Sequence, residues 1–271
     1  MKKFFDGALN LLRKKTLINF FKSLEVRISK IGVFCLYAVL PFIIAIFSLN
    51  YEGGLKNMYG PGAVAICFGF AVACILLGYV ADKMLEYVRP SIEQAKTSIV
   101  NGAFFDTVAL LIAIPAIVGL IFGFIAIIAE HDNISIAVFL LSVMALYFSI
   151  MLLSPDQMLN VNVQKSATPA QSLIAIVALI IKSLYRLVPL AFGVFIIWSV
   201  IDGIDMTFIS TSVTRLDVHN FVQRLISTSL LPLVGYFVFL TYYFVLDLCM
   251  SLFRIADATE KLAETKSQKT K

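Results

Sequence analysis

The chain alternates between long uncharged apolar runs and short polar connections. Six runs reach spanning length: Ile31 to Leu49, Ala63 to Val80, Val108 to Ala129, Ile134 to Leu153, a fifth ending near Ile201, and Leu225 to Leu246. A helix of about 20 apolar residues crosses roughly 30 Å of hydrocarbon. The pattern therefore predicts an all-α polytopic membrane protein with six transmembrane helices.

A proline returns inside the apolar pattern at a fixed interval. Pro41, Pro115 and Pro189 stand 74 residues apart in both steps (115 − 41 and 189 − 115), each within an unbroken apolar stretch. Asp82-Lys83-Met84-Leu85 and Asp156-Gln157-Met158-Leu159 keep the same step of 74 (156 − 82). This register reads as three tandem helical hairpins, each a proline-bearing helix followed by a second apolar helix. Unit 1 covers 31–97, unit 2 covers 98–171 and unit 3 covers 172–253, between a basic amphipathic segment at 1–30 and a charged tail at 254–271. The longer connection from Asp202 to Arg224 places the third closing aspartate, Asp247, late in the register. Within it, Asp217 is positioned to cap a helix entering the sixth span.

Composition places the chain in a bilayer. It is 60% hydrophobic and 14% charged, with a mean hydropathy of +0.91, whereas about a quarter of residues are charged in soluble domains. Cys35, Cys67, Cys74 and Cys249 lie in apolar runs or at the end of one, without paired spacing, and are expected as free thiols acting as small apolar residues. The first apolar run is of spanning length and lacks a small-x-small cleavage site, so it is read as the first span and not as a cleaved leader.

Charge sets the expected orientation. Taken alternately, the segments on one side hold 8, 3, 3 and 5 Lys and Arg residues, 19 of the 22, and the other side holds only Lys56, Arg215 and Arg224. The excess of cations marks the cytoplasmic side, which predicts both termini in the cytoplasm and an even number of spans. The expected location is the bacterial cytoplasmic (inner) membrane. Near the N-terminus, Phe4, Phe5, Ala8, Leu9, Leu11 and Leu12 share one helical side and Lys2, Lys3, Arg13 and Lys14 the other. That is the pattern either of an in-plane helix on anionic head groups, each cation adding about 1 kcal/mol, or of an ordinary cytosolic helix packing on the protein's own loops.

Candidate functional residues follow from the same register. Pro41, Pro115 and Pro189 each remove a backbone hydrogen bond within a span and are hinge candidates, although membrane helices also tolerate proline without a hinge role. Lys182 and Arg186, spaced i, i+4, share a helical face and align with positions inside the third span. They would either line a basic entrance for an anion or snorkel to head groups. Asp82, Asp156 and Asp247 sit just past the ends of the even-numbered spans, to form a ring or pair with Lys83, Lys182 or Arg254, or simply to end each span. Gly119 and Gly123 form a GxxxG, and Ala65, Gly69 and Ala73 repeat small residues every fourth position. Both let helix backbones approach closely, within the chain or against a partner.

Three tandem two-helix units, with proline in each first helix and both termini on one side, resemble the general plan of mitochondrial carriers. The prolines here are followed by Phe42-Ile43-Ile44-Ala45, Ala116-Ile117-Val118-Gly119 and Leu190-Ala191-Phe192-Gly193. No charge appears where the carriers have Pro-x-Asp/Glu-x-x-Lys/Arg, so the resemblance ends at the plan.

The sequence holds no GxxxxGK[ST], HExxH, GxSxG or CxxC, and no aromatic-basic alternation for nucleic acid. His131 and His219 belong to no spaced ligand pair, and neither a metal nor a cofactor is expected. The function expected is that of a non-enzymatic scaffold or anchoring subunit in contact with anionic lipid head groups and other membrane proteins. The alternative is a transporter or channel for a small, anionic solute along a pseudo-threefold axis.

Overall fold

The computed structural model describes residue 7 and residues 12–60, 62–94, 98–99, 102–130, 133–163, 169–209 and 213–269. Of the face pattern over residues 2–14, only Leu12, Arg13 and Lys14 fall within that range; His131, Lys96 and Lys165 lie outside it. Apart from short turns and connections, the described chain is helical, with one two-residue parallel pairing, Ser98–Ile99 with Asn162–Val163, which joins two connecting segments. Six of its helices are long and apolar enough to cross a membrane, which points to an integral membrane protein.

The first of these begins earlier than the hydropathy alone suggests. Helix α1, Lys15–Phe34, runs through a π-helical stretch at Cys35–Val39 into α2, Leu40–Asn50. The whole 36-residue segment Lys15–Asn50 forms one spanning candidate. The expected boundary near Ile31 therefore lies inside a longer helix. The reason is a buried face carried by the basic segment itself: Ile18, Phe21, Glu25 and Gly32 are all buried, at the three- and four-residue steps that keep side chains on one side of a helix. The π-helical stretch directly precedes Pro41, where the ring removes a donor and a regular turn would crowd it.

A short helix, α3 (Glu52–Tyr59), leads to α4 (Ala63–Gln94), then α5 (Gly102–Glu130) and α6 (Asn133–Leu153). Helices α5 and α6 pack along their lengths. A one-turn helix, α7 (Pro155–Leu159), precedes α8 (Pro169–Ile204), which continues as a π-helical turn to Ile209. Pro169 opens α8, where its missing donor would be unpaired anyway. Helix α9, Arg215–Ser229, is separated from α10, Leu231–Lys269, by Leu230. The sixth span therefore starts at Leu231, not Leu225. Pro232 follows immediately and cannot donate back into α9, so the helix restarts.

Helix α8 is the most enclosed. Half of its spanning window is buried, against 17% for α5 and 11% for α10. It packs on α1, α2, α4, α6, α9 and α10. Its closest crossing is with α1: a Cβ on Gly193 would stand 2.4 Å from the Ile28 carbonyl oxygen, and one on Gly32 would stand 2.7 Å from the Gly193 Cα. Only glycine allows backbones this near. Beyond that crossing, Leu36, Leu40, Phe192 and Ile196 fill the interior with no exposure.

A buried ion-pair cluster and the cavity beside it

Within a mainly apolar interior, one charged cluster is enclosed. Glu25 projects from the buried face of α1, and Tyr147 of α6 donates its hydroxyl to Glu25 Oε2 at 2.5 Å. The ring of Phe21, one turn earlier on α1, stacks on Tyr147 at 5.5 Å between centroids, which fixes the hydroxyl beside the carboxylate. From α8, an Arg186 guanidinium nitrogen lies 3.0 Å from the same carboxylate oxygen. From α4, Arg89 approaches the other oxygen at 3.9 Å. Four helices thus meet on one carboxylate. Glu25 is 2% exposed and Arg186 6%, so water contributes little to either charge. A buried charge is tolerated only with such partners.

Lys182, one turn before Arg186, is fully buried and donates to the Leu159 carbonyl at 3.2 Å. Neither residue of the i, i+4 pair reaches outward. The snorkelling option weighed from the sequence is overturned: both side chains turn into the bundle because α1, α6 and the segment around α7 supply acceptors there. Nearby, Arg13 pairs with Asp106 and Lys22 donates to the Gln157 carbonyl at 2.7 Å. The beginnings of α1 and α5 and the ends of α4 and α6 therefore share one end of the bundle with Arg186.

Beside the cluster is a cavity of about 510 Å³. Lys22, Arg89 and Arg186 contribute cations to its lining, and Glu93 and Asp156, both exposed, contribute carboxylates. Arg186 Nε is enclosed and has no hydrogen-bond partner among the described residues.

The C-terminal end of α8 is different in kind. Asp202 accepts from Trp198 Nε1 at 3.1 Å and pairs with Arg224 of α9. A polar cavity of about 280 Å³ there is lined by Asp202, Asp205, Asp217 and Arg224. A neighbouring apolar cavity of about 250 Å³ is bounded by Ile43, Phe47, Ala63, Phe70 and Val222, with His219 on its wall. Helix α9 is started by a capping box, with Thr214 as N-cap and Asp217 as its third residue. The bonds from Thr214 hold the Asp217 carboxyl below the usual carboxylate range.

The remaining candidates are scattered. Pro41 is half-buried, Pro115 is exposed and Pro189 is buried, so the three prolines do not share an environment. Of the aspartates, Asp156 lines the basic cavity, whereas Asp82 and Asp247 do not. Lys83 bonds Glu86 at 3.0 Å; the Arg254 side chain falls outside the described residues. Gly119 and Gly123 face α6, where a Cβ on Gly123 would stand 2.9 Å from the Phe139 nitrogen. Ala65 and Gly69 are exposed and Ala73 is half-buried; a Cβ on Gly69 would meet nothing within 4 Å.

Sequence reasoning missed Glu25, Tyr147, Arg89 and Lys22. The available signal was Glu25 itself, a carboxylate on the apolar face between Phe21 and Gly32 in an otherwise basic segment. No family model matches this sequence, and no curated protein or solved structure is similar to it.

Proposed function

We propose that this protein is a non-enzymatic integral membrane protein of the bacterial cytoplasmic membrane, with both termini cytoplasmic, that anchors or scaffolds a membrane assembly. The observation that carries the reading is the contrast between its interior and one outer face. Leu36, Leu40, Phe192 and Ile196 close the core between the basic and apolar cavities, while the small residues Ala65 and Gly69 of α4 face outward. A small-residue face lets a second helix approach closely, and here no part of the described chain occupies it.

The three-hairpin register, with cations held on the cytoplasmic side, remains the organising proposal for topology. A photo-reactive residue at Gly69, activated in native membranes, is expected to join the chain to another polypeptide. A solely monomeric product, together with a monodisperse monomer in mild detergent, would contradict the scaffold role.

The basic cavity favours a second reading, a carrier or channel for a small anionic solute. Under it, liposomes containing the protein would release or accumulate such a solute, and Lys182→Gln with Arg186→Gln would alter the flux. An unchanged flux with normal insertion excludes it.

A further inference from the structure

The geometry points to a binding site for a single phosphate group in the cavity lined by Lys22, Arg89 and Arg186. This goes beyond the anchoring role and does not depend on it.

Three observations carry the inference. First, the Arg186 guanidinium is paired with Glu25, yet its Nε–H is enclosed and has no acceptor among the described residues. A buried donor is nearly always paired, and one that is not calls for an explanation such as a ligand. Second, Arg89 is only loosely engaged by Glu25, at 3.9 Å, so its fork of donors is available to a planar or tetrahedral oxyanion. Third, the cavity volume of about 510 Å³ lies in the range of small-molecule sites.

The charge balance limits the ligand. Among the described residues, three cations and two carboxylates line the cavity, a formal sum of +1 (3 − 2). Glu25 and Lys182, in the wall behind, offset each other and leave that sum unchanged. The site therefore suits one singly charged phosphate group, not a polyanion.

Exposure brings in a lipid source: Arg89, which lines the cavity, is exposed, so a head group at the surface of the bundle can reach it. Free phosphate and a phospholipid head group offer the same chemistry, and the experiment separates them.

The full chain is purified in detergent, and its melting temperature is followed against inorganic phosphate, with chloride at matched ionic strength as control. A parallel series adds phosphatidylglycerol, with diacylglycerol as the phosphate-free control. A saturable rise with phosphate assigns a soluble ligand, and a rise with phosphatidylglycerol alone assigns the head group; either supports the site. Arg89→Gln and Lys22→Gln, which leave the Glu25–Arg186 pair intact, are expected to weaken the apparent affinity by about tenfold each, as the loss of a charge-assisted contact implies. The inference is overturned if neither probe stabilises beyond its control, or if both variants respond as the parent does.

Discussion

Midway along α8, Arg186 is bonded to a carboxylate that is 2% exposed, with a tyrosine hydroxyl on the same oxygen. At the C-terminal end of α8, Asp202 meets an arginine, Arg224, whose side chain is 46% exposed. Both are carboxylate–guanidinium pairs linking α8 to another helix. They differ in what replaces a lost partner. Water is at hand for Arg224, and almost none is for Arg186. A buried pair is therefore costly to break singly, although its net contribution over a well-packed apolar substitute is small. An exposed pair contributes about 0–1 kcal/mol and is weakened by salt.

The largest effect is expected at the enclosed pair. Glu25→Ala should destabilise the protein by about 3–5 kcal/mol, because Arg186 would remain buried without its counter-charge. Thermal or denaturant unfolding in detergent measures this, and a loss below about 1 kcal/mol would show that water reaches the cluster. A second test replaces charge with shape. Gly193→Ala sets a methyl 2.4 Å from the Ile28 carbonyl oxygen, and overpacking of this kind costs about 1–3 kcal/mol. Gly69→Ala, with open space around it, should change stability by less than about 0.5 kcal/mol.

At the open end, Arg224→Ala is expected to cost about 0–1 kcal/mol, and less as salt rises. The smallest effect concerns acid. The Asp217 carboxyl is held below its ordinary range by Thr214, so its contribution to the start of α9 is present above the unfolded value and is lost as pH falls through the folded one. Protection of amides 215–218, taken relative to their intrinsic exchange rate at each pH, should fall below about pH 4 and hold steady through neutral pH. A loss of protection that begins near neutrality would assign the change to another group.

The six apolar runs were legible because a bilayer imposes both length and charge exclusion on each crossing. The start of α9 was nearly legible: Asp217 was recognised as a capping residue, while the N-cap itself is Thr214. The ends of the first helix were not. Hydropathy averages over all faces of a helix, and residues 15–30 bury only one of theirs, through Ile18, Phe21 and Glu25. Lys182 and Arg186 were identified as a pair sharing a face, but which way that face turns depends on acceptors from α1, α6 and the residues around α7. Those partners are distant in the chain, and nothing local to Arg186 announces Glu25. The proline register gave equal spacing, yet Pro41, Pro115 and Pro189 differ in burial, because packing against α8 is decided by whole helix faces and not by single residues.

The measurement that bears most directly on the account is a double-mutant cycle on Glu25 and Arg186, using Glu25→Ala, Arg186→Met and the two together. The enclosed pair predicts strong coupling, in which the double variant recovers about 2–3 kcal/mol relative to the sum of the singles. Effects that add to within about 0.5 kcal/mol would contradict it, since they would mean that Glu25 and Arg186 do not act on each other in the folded bundle.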